Sequence, residues 1–195
     1  MVAMSLNAHP AAVAEAVVAV VQGAGQADLG SPTPCPDFEL KGLINHLIGT
    51  TGALVRVGLR SPLDSTDPYG SSVDSTGGDW QATLSTNLDS LARVWGDTSA
   101  WEGTVDMGGH EMPAAMIAEM AMAEMALHGW DLARATGQQL TLADDVAAEL
   151  RRSIEETGEL GRSTGAYGPE VLLAEDATEF ERALAASGRD PRWGA

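Results

Sequence analysis

The chain has 195 residues, 44% of them hydrophobic, which is enough for one domain with a real core and is not the composition of a disordered tail. Its 28 acidic residues against 11 basic ones give a formal net charge of −17. That excess argues against nucleic acid and against an anionic membrane surface as partner, because both reward Lys and Arg. Cys35 is the only cysteine, so an internal disulfide and a four-cysteine zinc site are excluded.

The N-terminal stretch "MVAMSLNAHPAAVAEAVVAVVQGAG" has an apolar run with no Lys or Arg before it, interrupted by Glu15. It reads as a helix over residues 8–22, with Pro10 suited to a first turn, rather than as a secretion signal. No apolar stretch approaches bilayer length, so the expected location is the cytoplasm. The loop "GAGQADLGSPTPCPDF" follows, punctuated by Gly and Pro. Asp37 is expected to cap a second helix, with Glu39 in its first turn. That helix, "FELKGLINHLIGTTGALVRVGLR", carries Leu40, Leu43, Ile44, Leu47, Leu54 and Val55 on one broad side. Gly42, Gly49 and Gly52 weaken it.

Residues 61–79 read as a long polar loop. A third helix is expected from Asp79 to Trp95, with Leu84, Leu88, Leu91 and Trp95 as its apolar seam. "WEGTVDMGGHEMP" suggests a short hairpin around its Gly pair. The fourth helix is expected from Pro113 to Gly137, a fifth over 142–161, and a short last helix at 177–187 within a partly extended tail. No internal repeat is visible, and the bland architecture is a single-domain, all-α, antiparallel helix bundle.

The fourth helix poses the functional question. Within "MAEMALHGWDLARATGQ", Glu124, His128 and Asp131 interrupt a run of Ala, Met and Leu. At roughly 100° per residue, His128 and Asp131 fall about 40° and about −20° from Glu124, so the three share one narrow strip. Burying them unpaired would cost several kcal/mol; either something is bound there or the strip faces water. The i, i+4 pair Glu124 and His128 can converge on one ion, and both are good ligands for zinc and other first-row divalent ions. A third ligand must come from another helix. His46 lies at the edge of the buried face of the second helix and can reach across. His9 and His110 are expected to be exposed and outside the site. Trp130 and Met116, Met120, Met122 and Met125 read as core. Cys35, between two prolines, reads as a small buried residue in a rigid turn, and Asn45 as an exposed helix position.

The segments "TPCPDFELKGLINHLIG" and "AEMALHGWDLARATGQ" resemble the two signature segments of the DinB-like, mycothiol-dependent maleylpyruvate isomerase superfamily. The tail "YGPEVLLAEDATEFERALAASGRDPRW" is similar to an actinobacterial subgroup of metal-binding proteins in it. With Lys41 the only lysine among 11 basic residues, the Arg-rich, Ala- and Gly-rich composition fits a GC-rich, mycothiol-using host. The resemblance implies an antiparallel four-helix bundle, extended here by an extra C-terminal helix and tail, with a divalent metal at one end. It places the metal ligands on His46, Glu124 and His128. Zinc heads the metals, with nickel, iron or manganese as alternatives.

The resemblance further implies chemistry on thiols: isomerisation through a transient thiol adduct, or transfer of a thiol to an electrophile, with mycothiol as co-substrate. Asp131 is expected either to accept a hydrogen bond from a ligand histidine, His128 or His46, and so fix its orientation, or to make a salt bridge or a backbone hydrogen bond instead. Full isomerases carry a further C-terminal domain. The tail here is expected to be shorter and different, which argues against maleylpyruvate itself as substrate. The expected partners are a small-molecule thiol and an electrophilic substrate, without nucleic acid or membrane and with homo-oligomerisation left open. Two rival functions are a non-catalytic metal-binding stress protein and a metal-dependent hydrolase; against the latter, no H-E-x-x-H motif is present.

Overall fold

A computed structural model describes residues 9–64, 66–70 and 72–194. Residues 1–8, where the first helix is expected to start, lie outside the described residues. The chain divides into two compact units, the first ending at Leu140 and the second beginning at Thr141.

In the first unit the helices are α1 (His9–Gly23), α2 (Leu40–Gly58), α3 (Trp80–Trp95) and α4 (Ala114–Ala135). A single 3-10 turn, Thr98–Trp101, and the strands β1 (Thr104–Asp106) and β2 (Glu111–Pro113) lie between α3 and α4. Helices α1 and α2 each pack against both α3 and α4. The apolar seams explain this. Leu40, Leu43, Ile44, Leu47 and Leu54 of α2 are buried, as are Leu84, Leu88, Leu91 and Trp95 of α3. Each buried leucine contributes about 1.5–3 kcal/mol. Helix α4 is buried on nearly every side, with Ala121, Met122, Met125, Ala126 and Leu132 among its core residues. Its small residues permit close approach: a methyl group at Gly129 would press on Val17 of α1. Among the described residues no helix is long and apolar enough to cross a membrane.

The punctuation follows from local chemistry. Asp79 caps α3, its side chain accepting from the Ala82 N–H. The Gly pair does form a hairpin: β1 and β2 are antiparallel with Val105 opposite Met112, and Gly108 and Gly109 have φ of 80° and 95°. At the end of α4, Gly137 has φ of 69°. The Gln138 N–H returns to the Ala133 carbonyl at 2.7 Å and the Gly137 N–H to that of Arg134 at 3.2 Å, a Schellman closure.

Several expectations are corrected. Helix α2 is shorter than the Phe38–Arg60 run suggests, and its N-cap is Glu39, which makes no side-chain cap bond; Asp37 does not cap it. The chain before it is tied elsewhere. Leu40 N–H donates to the Ser31 carbonyl at 2.9 Å, and Phe38 N–H to that of Cys35 at 3.2 Å. Val55 is only half-buried, Met116 likewise, and Met120 is exposed, so these are not core residues. His9 is buried, not exposed. Asn45 is half-buried and holds the 61–79 loop, its Oδ1 accepting from the Ser75 N–H at 2.8 Å.

The second unit contains α5 (Asp144–Thr164) and α6 (Glu179–Ala186), which pack on each other. Helix α5 runs past the expected end at residue 161 and stops where Gly165 adopts φ of 82°. Helix α6 starts with a reciprocal capping box between Thr178 and Glu181. The Arg151 Nε donates to Glu179 Oε2 at 2.8 Å, clasping the two helices.

Candidate metal centre

Helix α2 supplies His46 and helix α4 supplies Glu124 and His128, all in the first unit. The three ligand-type atoms lie within 4.8 Å of one another. Glu124 Oε2 stands between the two imidazoles, 3.2 Å from His46 Nε2 and 3.6 Å from His128 Nε2. Ligands held at about 2.0–2.1 Å around a tetrahedral ion stand about 3.3 Å apart, close to the two separations from Glu124 Oε2. The side chains of His46, Glu124 and His128 retain 29%, 26% and 12% of their exposure, which leaves an approach from solvent on the His46 and Glu124 side.

The electrostatics fit a cation as well. Asp131, wholly buried, places Oδ2 2.9 Å from His128 Nδ1. A carboxylate only accepts, so Nδ1 carries the proton of that contact, and Nε2 is the ring nitrogen turned to Glu124 Oε2, 3.6 Å away. With the Asp131 and Glu124 carboxylates on either side of the ring, the site favours positive charge.

Two neighbours escaped the sequence reading. Phe38 stacks on His46, ring centroids 5.0 Å apart and planes at 26°, and meets His128 edge-on at 6.1 Å. Expected as the first residue of the second helix and given no role in the site, it lies in the turn before α2. Thr50 Oγ1 lies 3.5 Å from His46 Nδ1; its i+4 spacing could have found it. Cys35, expected to be buried, is half-buried, and its sulfur lies within 4.8 Å of ligand-type atoms of both His128 and Asp131. The turn that carries Cys35 and Phe38 is knitted by Thr33, whose Oγ1 is 2.9 Å from the Cys35 carbonyl oxygen and 2.8 Å from that of Phe38. His9 and His110 join no such group among the described residues, and Trp130 is buried as expected.

A family model described as the mycothiol maleylpyruvate isomerase N-terminal domain matches residues 11–133, a span that holds all three ligand-type residues and Asp131. Two uncharacterized proteins of Mycobacterium tuberculosis, from strains CDC 1551 / Oshkosh and ATCC 25618 / H37Rv, are each 27% identical over 144 residues, covering 74% of this chain and 74% of the relative. No solved structure matches the chain.

Proposed function

This chain belongs to the mycothiol maleylpyruvate isomerase N-terminal domain family, and from that membership we propose a metal-dependent thiol S-transferase or isomerase. The proposed scaffold is a four-helix bundle of α1 to α4. In it His46, Glu124 and His128 hold a divalent ion, zinc first, and mycothiol is the low-molecular-weight thiol used. The observation that carries the reading is the Glu124 carboxylate oxygen lying 3.2 Å and 3.6 Å from two imidazole nitrogens, the second on a ring whose other nitrogen meets Asp131 at 2.9 Å.

Two neutral imidazoles and one carboxylate form a ligand set known from catalytic zinc sites, where one position stays open. When bound, such an ion would supply a thiolate at neutral pH, where thiols with pKa near 8.5 are otherwise mostly protonated. The residues of the chain do the remaining work. Asp131 fixes the tautomer and plane of His128 and raises its basicity as a ligand. Glu124 balances part of the cation's charge. Phe38 excludes water from one side, and the partly exposed edges of His46 and Glu124 leave room for thiol and electrophile. A cytoplasmic setting, where thiols are kept reduced, suits this chemistry.

Cobalt-substituted protein tests the reading. On adding mycothiol, a new sulfur-to-metal absorption band is expected, along with thiol-dependent turnover of generic electrophiles. An unchanged spectrum with cobalt fully bound would overturn thiol ligation, and turnover that ignores the thiol would point to a hydrolase.

A further inference from the structure

The two imidazoles of the centre are oriented by different means. His128 has the buried Asp131 carboxylate at 2.9 Å. Among the described residues, the other nitrogen of His46 has only the Thr50 hydroxyl, at 3.5 Å. That distance is at the outer limit of a hydrogen bond and fixes a ring weakly. What His46 has instead is an aromatic face: Phe38 lies over it at 5.0 Å and 26°, in the range of favourable stacking.

We infer that Phe38 is the positioning residue for His46, and that stacking takes the place of the usual hydrogen bond in aiming its Nε2 at the ion. The inference rests on the metal reading above. Three observations support it. First, the turn that carries Phe38 is held by bonds that do not involve its ring: Thr33 Oγ1 to the Cys35 and Phe38 carbonyls, Phe38 N–H to Cys35, and Leu40 N–H to Ser31. The backbone that carries the ring is therefore set before any ligand arrives. Second, Gly42, one helical turn before His46, provides the seat; a Cβ there would stand 3.3 Å from Phe38 Cδ1. A glycine that lowers helix propensity thus allows the ring to lie along α2. Third, Phe38 also touches His128 edge-on at 6.1 Å, and the two imidazoles meet at 4.7 Å and 74°. The three rings brace one another, so a rotation of His46 would have to displace both neighbours.

The test compares Phe38→Ala, Phe38→Trp, Gly42→Leu and Thr50→Ala with the parent chain. Metal affinity is read by chelator competition, and the His46 ring signals by NMR in the metal-free protein. Phe38→Ala is expected to weaken zinc binding by about 10- to 100-fold, the range for groups that orient a ligand, and to broaden the His46 ring signals and remove their ring-current shift. Phe38→Trp keeps a stacking face and stays within a few-fold of the parent. Gly42→Leu favours the helix but displaces the ring, and should reproduce the Phe38→Ala loss without unfolding. Thr50→Ala has the smaller effect. Phe38→Ala and Gly42→Leu both binding zinc within twofold of the parent, with His46 ring signals unchanged, would overturn the inference. Should the parent itself bind no metal, the metal reading fails, while the metal-free ring signals still decide whether Phe38 holds His46.

Discussion

Asp131 is a buried carboxylate 2.9 Å from His128 Nδ1, and the simplest consequence concerns that one atom pair. Asp131→Asn keeps the shape but gives up the full negative charge that would make His128 a strong ligand. Metal affinity should fall about 10- to 100-fold by competition titration, with the circular dichroism spectrum retained. Unchanged affinity would remove Asp131 from the site. At this scale the sequence was informative where spacing carries chemistry. Glu124, His128 and Asp131 lie on one strip because helical rotation puts them there, and the structure gathers the first two with His46 within 4.8 Å. It was silent on Phe38, which it counted as the first residue of the second helix, and it misplaced Asn45, whose exposure depends on a loop path that no helical pattern encodes.

Between elements, the 61–79 loop is tied to α2 along one side. Lys41 Nζ meets Asp74 Oδ2 at 2.7 Å, Asn45 receives the Ser75 N–H, and Gly49 lies so close to Tyr69 that a Cβ would overlap its carbonyl oxygen. Gly49→Ala should therefore destabilise by about 1–3 kcal/mol in chemical denaturation, as overpacking does, despite the gain in helix propensity. A stabilised variant would contradict the close approach. The Asp74 carboxyl is held well below the usual carboxylate range, first by the Lys41 hydrogen bond and then by Thr76. A depressed folded value means that the stabilisation is present above the ordinary carboxylate pKa of about 3.9 and is lost only as pH falls through the lower one. An NMR titration of Asp74 should show that low midpoint, and Lys41→Ala should raise it. In the second unit, Thr178→Ala removes one half of the capping box and should cost about 1 kcal/mol of local stability at α6, read by amide exchange. Element boundaries were readable where a side chain makes the cap, as at Asp79, and at glycines that need positive φ, as at Gly137. The start of α2 was misread because main-chain bonds to Ser31 and Cys35, not the Asp37 side chain, set it.

For the molecule as a whole, a net charge of −17 means self-repulsion in the folded chain. A cation bound only by the folded state adds to stability by mass action, about 4 kcal/mol when present at a thousand times its dissociation constant. A strong chelator should therefore lower the melting temperature, and zinc should restore it. The most direct measurement is the metal content of protein purified without chelators, for the parent and for His46→Ala, Glu124→Gln and His128→Ala. Close to one divalent ion per chain in the parent, and less than a tenth of that in each folded variant, is the predicted result. A metal-free parent that takes up no added zinc, or variants that keep the full complement, would contradict it.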